Sequence, residues 1–485
     1  MISFSTNKEW TTSISGGAGW LTISPSSGDV TYMMFMLNIF PNNTFSERKA
    51  SIIISSGGIS KTITIDQQAN GPSVYWIAKM GTLGTLLSQI QKDTITTMIL
   101  KGEINKADFV VLRKNILKLK YLDLREVKCE NDDIPDNAFG DNFSWEANKN
   151  IQTILLPNSI DKIGNRAFAY CSGLTGSLNI PSGVTEIDTM AFYSCSGFNG
   201  ALNLSTVLKK IGQAAFMGCK GFTGDLIIPP GVTVISNSAF ASCSGFTGSL
   251  TIPLGVTKIE QGAFASCSGL TGSLNIPANV KSIGSRAFYK CAGFTSSLNL
   301  PTDLTEIGSS AFSGCSSLTG SLNIPSGITT MEDYVFDGCS GFNGSLNLPS
   351  ELTVIGKYSF NNCTSLNGIL NIPSKVTSIG LFAFTNCKGL EGLTIGENLM
   401  TIESLAFSKC SNISGNIVFP RSLNLIKNGV FYESNKVGFF RFPHTTPLVY
   451  YGNVLPSNAT IEVPSSAVSI YRSTDWWKDF NIVGY

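Results

Sequence analysis

Residues 167–190 read AFAYCSGLTGSLNIPSGVTEIDTM, and residues 191–214 read AFYSCSGFNGALNLSTVLKKIGQA, which is the same 24-residue pattern with small changes. The pattern continues to about Phe407. Ten cysteines mark its register at 24-residue intervals from Cys171 to Cys387, and Cys410 follows 23 residues later, each with a phenylalanine three residues before it. A repeat this short cannot bury a core alone, so the pattern predicts a solenoid with one coil per repeat.

Two short strands are predicted in each coil. In the coil that begins at Ala167, residues 177–180 and 184–187 alternate polar and apolar side chains, which is typical of half-buried strands. The Ala–Phe segment is expected to close the coil with a short helical or 3-10 turn. Gly173 and Gly176 are expected to take positive φ angles at tight corners.

The repeat spelling L-x-x-I-x-[IL]-P-x-x-[VL]-x-x-I-G-x-x-A-F-x-x-C resembles the leucine-rich repeats of the BspA type. The resemblance covers the chain from Ile134 to the C-terminus, and most coils carry one residue more than that family's usual repeat of about 23. It implies a mainly β fold, namely a capped leucine-rich repeat solenoid with coils of about 23–24 residues. Relatives in the family are exported surface proteins and adhesins, so the resemblance implies an extracellular or cell-surface location.

An immunoglobulin-like β-sandwich is predicted for residues 1–70. Short segments at residues 11–15, 20–23, 32–39, 50–54 and 61–65 read as strands between Gly, Ser, Pro and Asn turns. The spellings WLTISPSSG at residues 20–28 and ITIDQQ at residues 63–68 resemble the BACON domain, for which carbohydrate or mucin binding is proposed. Trp20 is expected in the core of this sandwich, and Trp10 is the better candidate for an exposed, ligand-stacking side chain.

Residues 71–133 are predicted to form an α/β cap that covers the open end of the first coil. Helices are expected over residues 81–90 and 106–115, the second with Asn105 as its N-cap, and strands over residues 94–100 and 121–124.

The coils are predicted over residues 134–463 and a C-terminal cap over residues 464–485. The first coil carries an insertion that contains Trp145, which either contacts a ligand or packs on the cap. In the C-terminal cap, Trp477 is expected to seal the last coil, and Trp476 beside it is expected to meet solvent or a partner.

Composition excludes several functional classes. The net charge is +1 and only 14% of residues are charged, so no basic field for nucleic acid or an anionic membrane is present. The sequence has one histidine, His444, and no C-x-x-C pair, which leaves almost no ligands for zinc or another metal. Hydrolase, phosphate-loop and dinucleotide motifs are absent. Carboxylates such as Asp133, beside Asp132, and Glu433 fall in predicted loops without a cleft to raise a pKa. We therefore expect no catalytic residue, no cofactor and no enzymatic activity.

The twelve cysteines allow two interpretations. Equivalent residues of adjacent coils lie within bridging range for disulfides, whereas one cysteine per coil in strict register favours buried free thiols that donate weakly to a loop carbonyl. Free thiols are the favoured interpretation. Cys129 lies outside the register, and its state is left open.

No stretch of about 18 apolar residues predicts a membrane span. The first residues lack a charged segment followed by an apolar one, so they do not form a signal peptide. Because family relatives are exported, we expect this chain to be a mature or trimmed form, and we expect it to be monomeric.

The outward side chains of the first strand in each coil are predicted to form a ladder, which in leucine-rich repeats lies on the concave, ligand-binding side. Its members are Asn179, Asn203, Ile227, Thr251, Asn275, Asn299, Asn323, Asn347 and Asn371. The asparagines, with Trp10, Trp145 and Trp476, are the candidate ligand contacts. Either these amides contact a ligand, or they only bond one another along the sheet. Since the face lacks Trp, Tyr and Arg, which dominate tight protein interfaces, it favours weak multivalent contact.

Two functions from different classes are therefore predicted. The first is an adhesin-like surface protein whose array recognises host or extracellular-matrix proteins. The second is glycan or mucin binding by the N-terminal sandwich, with the array as a spacer. An irregular aromatic or charged patch on the array would favour the first, and exposed aromatic residues converging on the sandwich would favour the second.

Overall fold

The structure is a computed structural model, and it describes residues 2–4, 6–16, 19–29, 34–39, 48–67, 75–140, 147–448 and 455–485. The chain divides into two compact units, Met1–Trp76 and Ile77–Tyr485.

The first unit is built from two antiparallel sheets that share one core. Its strands are Ile2–Ser3, Trp10–Ser15, Leu21–Ser24, Ser27–Gly28, Met34–Ile39, Arg48–Ser56 and Ile59–Gln67. The strand Trp10–Ser15 pairs over its full length with residues 51–56 of the strand Arg48–Ser56. Trp10, Trp20, Phe35 and Ile52 lie in that core, and this confirms the expected β-sandwich and the position of Trp20.

The second unit begins with an α/β segment. The strands Thr97–Ile104, Tyr121–Cys129 and Thr153–Leu155 form one sheet with the strand Tyr75–Ala78, which includes the boundary residues Trp76 and Ile77. The helix predicted over residues 81–90 is instead two helices, Leu83–Leu86 and Gln89–Thr94, because Ser88 is extended and caps the second one through its hydroxyl. The helix Lys106–Lys114 begins at Asn105, whose side chain accepts from the Ala107 and Asp108 amides, as predicted.

Most of the following coils contribute a residue pair or a longer strand to each of two parallel ladders, and Asn275 and Asn299 form an isolated bridge between two such strands. This pairing confirms the solenoid. The first-strand ladder comprises Leu178–Asn179, Leu202–Asn203, Leu226–Ile227, Leu250–Thr251, Leu322–Asn323, Leu346–Asn347, Gly368–Asn371, Leu390–Thr394, Gly415–Val418, Val437–Arg441, Thr460–Val463 and Asn481–Gly484. The second-strand ladder comprises Asp133–Ile134, Lys162–Ile163, Glu186–Ile187, Lys210–Ile211, Val234–Ile235, Lys258–Ile259, Ser282–Ile283, Glu306–Ile307, Thr330–Met331, Val354–Ile355, Ser378–Ile379, Thr401–Ile402 and Leu425–Ile426. Pairing is in register, so that Ile163 faces Ile187 and Ile187 faces Ile211.

The third side of each coil is the Ala–Phe turn. The backbone forms single i to i−3 hydrogen bonds, as from Ala169 to Arg166, and alternates them with bonds to the next coil, as from Phe168 to Ala191. Arg166 and Tyr170 have φ of 51° and 63°, and these left-handed residues stop the turn from continuing as a helix. Short 3-10 helices lie outside these turns, at Glu130–Asp132 and Ser465–Ala467.

Glycine is needed at the two corner positions of the coil for different physical reasons. Gly176 has φ of 77°, as expected. Gly173 does not have a positive φ, so that expectation was wrong. A Cβ there would lie 2.0 Å from the Lys149 carbonyl oxygen of the preceding coil, and glycine is needed for this close approach.

The core of the second unit is a continuous stack of phenylalanine rings beside a column of cysteines. Ring centroids of neighbouring coils lie about one coil spacing apart, for example 5.0 Å between Phe168 and Phe192 and 5.4 Å between Phe192 and Phe216. Phe109 of the helix Lys106–Lys114 packs edge-on against Phe139, the first ring of the stack, at 5.6 Å. The helix therefore covers the open end of the stack.

The C-terminal end is closed by the helix Val468–Ser473 and by aromatic residues. Trp477 contacts Phe442 edge-on at 5.0 Å and donates from its indole nitrogen to the Leu448 carbonyl. Trp477 is buried, whereas 59% of Trp476 is exposed.

Candidate functional site

All nine predicted members of the first-strand ladder are exposed. They share one side because strand side chains alternate: the leucine before each member is buried, as are Leu178 and Leu202. Facing partners include Asn179 with Asn203 and Asn323 with Asn347. Trp476 is the other candidate that the structure places at the surface.

The amides of this ladder bond one another where two asparagines face each other in paired strands. Asn203 Nδ2 donates to Asn179 Oδ1 at 2.6 Å, and Asn347 Nδ2 donates to Asn323 Oδ1 at 2.6 Å. Asn347 Nδ2 also donates to Ser345 Oγ at 3.3 Å, and the amide oxygens keep acceptor capacity for other partners. The structural interpretation of the ladder is therefore correct for these pairs, without excluding contact with a ligand.

The rest of the ladder is small and nearly uncharged, with hydrophobic interruptions. Ser249 donates from its backbone and its hydroxyl to Asp225, and these bonds lower the pKa of that carboxyl. Ile227 and Ile369 are exposed on the same side.

Trp10, which was a candidate for ligand contact, is buried. The expectation for Trp10 was wrong, because only 1% of it is exposed. Its ring packs edge-on against Phe4 at 5.0 Å and fills space next to Gly28. Trp145 lies outside the described residues.

An aromatic stripe on the Ala–Phe turn side was missed from the sequence. Tyr334, Tyr358 and Phe382 occupy the same position of three successive coils, and their rings stack with centroids 4.7 Å apart. The 24-residue spacing of these residues is the signal that would have found the stripe. Beyond Phe382 lies an open cleft of about 680 Å³.

Two carboxylates were wrongly expected to lie outside any cleft. Glu433 lines the cleft beyond Phe382. Asp133 lines another cleft of about 310 Å³, with Lys162 and Asp136, and burial raises its pKa while Lys162 lowers it. No histidine, cysteine, serine or threonine lines this second cleft, so it offers Asp133 no imidazole, thiol or hydroxyl group to activate.

All twelve cysteines are buried free thiols, including Cys129. Burial raises the pKa of Cys129 and Cys267 to about 12. Within the described residues, no group of three or more His, Cys, Asp or Glu side chains is arranged to hold a metal ion. None of the helices in the described ranges is both long and apolar enough to cross a membrane.

Family models match both parts of the chain. The "BspA type Leucine rich repeat region" matches in six copies over residues 132–271, 246–344 and 342–451. The BACON model, whose description is "Putative binding domain, N-terminal", matches residues 9–68. No curated protein matches the chain.

Three solved structures resemble the chain. A leucine-rich repeat protein from Bacteroides ovatus is 20% identical, with a TM-score of 0.55 over 87% of this chain and 98% of that protein. A leucine rich cell surface protein from Faecalibacterium prausnitzii is 24% identical, with a TM-score of 0.42 over 64% of this chain and 82% of that protein. A leucine-rich repeat protein from Eubacterium ventriosum is 20% identical, with a TM-score of 0.41 over 71% of this chain and 87% of that protein. The first of these shows a shared fold.

Proposed function

The chain belongs to the BspA type leucine-rich repeat family, whose model spans most of its length, and from this we propose that it is a non-enzymatic binding protein of the cell surface or extracellular space. The array recognises a protein of the host or its matrix. The observation that carries the proposal is the long row of exposed side chains on the first-strand ladder, from Asn179 to Asn371.

The chemistry of this row supports broad rather than tight contact. Its amides and hydroxyls are spaced at one coil and are held by the strands beneath them, so a partner that spans several coils would meet a preformed series of donors and acceptors. Each hydrogen bond contributes about 0.5–1.5 kcal/mol at most after desolvation. Affinity would therefore come from many simultaneous contacts.

A second candidate function is glycan or mucin binding by the first unit. The BACON match favours it, as does an open cleft of about 630 Å³ lined by Ser27, Ser55, Ser56 and Asp29. Hydroxyl and carboxylate groups there suit the hydroxyls of a saccharide. The buried Trp10 offers no stacking surface, which is why this function ranks second.

The test is a binding screen of the full chain, residues 1–70 and residues 71–485 against immobilised extracellular-matrix proteins, mucin and a glycan array. We expect residues 71–485 to retain the matrix-protein signal of the full chain. A full-length variant with Asn203→Arg, Asn299→Arg and Asn347→Arg, which places bulky charges on the ladder without touching the core, is expected to weaken that signal.

Glycan signal confined to residues 1–70 would contradict the proposal and support the second candidate. Full-strength binding by the three-arginine variant would exclude the ladder as the contact surface.

A further inference from the structure

The aromatic stripe and the cleft beyond it form one continuous surface on the turn side of four coils. Tyr334, Tyr358 and Phe382 are followed at the next equivalent position by Leu405, and Phe382 and Leu405 line the cleft together. The equivalent residues of earlier coils vary in size, and Ser238, Gly262 and Ser310 are small whereas Arg166, Met190 and Arg286 are large. A bulky side chain is thus not needed at this position to form the turn.

The middle ring of the stripe offers its edge rather than its faces. Tyr334 covers one face of the Tyr358 ring, with the ring centroids 4.7 Å apart and the ring planes at 5° to each other. Phe382 covers the other face, with a centroid distance of 4.7 Å and an interplanar angle of 16°. Ring edges carry the positive end of the aromatic quadrupole, so the stripe attracts carbonyl and carboxylate oxygens. A pyranose, which packs its C–H groups on a ring face, finds no free face on the middle ring.

The rest of the cleft lining is largely polar and carries more positive than negative charge. Asn386 Nδ2 donates to Asn362 Oδ1 at 2.8 Å, and both amides line the cleft. Lys388 and Lys409 also line it and are exposed. Neither lysine forms an ion pair within the described part of the chain. Glu433 is the one carboxylate among the lining residues.

We propose that this cleft binds an extended acidic segment of a protein partner, with an apolar side chain of the segment packed against Phe382 and Leu405 and its carboxylates near Lys388 and Lys409. The apolar wall and the two lysines complement such a segment in polarity and in charge. Aromatic residues, tyrosine above all, are also the residues that most often anchor protein interfaces. The inference rests on the proposed role of the array in protein recognition and adds to the first-strand ladder a second contact site, on the turn side, with the chemistry of its partner.

The probe is a fluorescein-labelled 12-residue peptide of alternating Glu and Leu, and its control is the same peptide with Lys in place of Glu. Fluorescence anisotropy with the full chain is expected to show binding of the acidic peptide only. The variant with Tyr334→Ser, Tyr358→Ser and Phe382→Ser is expected to weaken it at least tenfold. Serine is tolerated at this position, as Ser238 and Ser310 show.

A second variant tests the charges. Replacing Lys388 and Lys409 by serine is expected to weaken binding of the acidic peptide and to reduce its dependence on salt. The matched control for the triple-serine variant replaces Tyr193 and Tyr289 by serine. These two residues lie on the same turn side outside the cleft, so the affinity for the acidic peptide is expected to stay unchanged.

Three results would overturn the inference: no binding of the acidic peptide, equal binding of both peptides, or unchanged affinity in the triple-serine variant. Capture of a neutral oligosaccharide that this variant abolishes would assign the cleft to glycans instead. The two proposals fail separately, because a chain that retains no matrix protein contradicts the proposed function, whereas peptide affinity that survives the serine substitutions contradicts the cleft alone.

Discussion

At the scale of single residues, the repeated cysteine is a hydrogen-bond donor as well as a filler of the core. Cys267 Sγ donates to the Phe240 carbonyl of the preceding coil at 3.0 Å, and the same bond recurs from Cys195 to Cys410. The coil of Phe431 has a serine in place of the cysteine, and there Ser434 Oγ donates to the Phe407 carbonyl at 2.9 Å. The position therefore selects a small side chain with a donor.

We predict that Cys267→Ser preserves stability better than Cys267→Ala, by about 1 kcal/mol, because serine keeps the bond to the Phe240 carbonyl and alanine removes it. Urea unfolding followed by circular dichroism measures the difference. Cys267→Val serves as the control for volume. A valine variant as stable as the serine variant would show that the donor is unimportant.

The buried thiols also predict how stability depends on pH. Burial raises the pKa of Cys267 to about 12, whereas an unfolded thiol titrates near ~8.5. The folded chain thus retains protons that the unfolded chain loses, so this contribution is complete below about pH 8.5 and falls as the pH rises toward 12. Each thiol that ionises only on unfolding lowers the free energy of unfolding by about 1.4 kcal/mol per pH unit.

The measurement is the urea midpoint of the reduced protein between pH 7 and pH 9.5. We expect a flat region to about pH 8 and a fall above it. A midpoint that does not change up to pH 9.5 would contradict the assignment of these thiols as buried and un-ionised.

At the scale of elements, the helix Lys106–Lys114 joins the α/β segment to the first coil. The buried Asp108 carboxylate accepts from the backbone amides of Gly81, Leu83 and Asn105 at 2.7, 2.9 and 3.0 Å. Phe109, the next residue, contacts the first ring of the phenylalanine stack. One turn of helix therefore holds both the preceding loop and the end of the core.

We predict that Asp108→Ala destabilises this cap by about 2–4 kcal/mol, since it leaves three backbone donors without their acceptor. Hydrogen exchange by mass spectrometry should show faster exchange over residues 81–116 and unchanged exchange in coils beyond residue 200. Lys106→Ala, an exposed change on the same helix, is the control. Equal exchange in both variants would contradict the role of Asp108.

The corner of each coil allows a comparison of two glycines. We expect Gly176→Ala to cost about 1 kcal/mol, the strain of a left-handed alanine in open space. Gly173→Ala should cost clearly more, because its Cβ would meet a backbone carbonyl of the preceding coil. Thermal unfolding of the two variants measures both effects, and a larger loss for Gly176→Ala would contradict this explanation.

At the scale of the whole molecule, each coil interacts with its two neighbours through the same three rows of backbone hydrogen bonds and the same stacked rings. Phe240, Phe264 and Phe288 are spaced 5.7 and 5.4 Å apart. Stability in such an array is approximately a sum of coil and neighbour terms, so one coil can be exchanged for the next.

We therefore predict that deleting residues 263–286, one complete coil, yields a folded protein in which Phe240 stacks on Phe288. Circular dichroism and size-exclusion chromatography should match the intact protein apart from the smaller size. Deleting residues 263–274, half a coil, is the control and is expected to prevent folding, because it puts buried residues out of register. An aggregated 24-residue deletion variant would contradict the additivity of the coils.

Much of the fold could be predicted from the sequence because the same local pattern is repeated. The period of 24 residues determines one coil per repeat, the alternation around Leu178 determines which side chains point inward, and Asn105 marks the start of its helix. These features depend on neighbours along the chain and on equivalent residues one period away.

The tertiary structure decided which side chains from distant parts of the chain meet in space. Trp10 is in the core because Phe4 and Phe35 surround it, although its strand position left either side open. Tyr334, Tyr358 and Phe382 became one stripe, and Glu433 entered a cleft with Phe382, because stacking places residues 23 or 24 positions apart side by side. The sequence determined the coil and its repetition, whereas contacts between side chains on the same side of successive coils depend on the packing geometry of the turn, which no single repeat encodes.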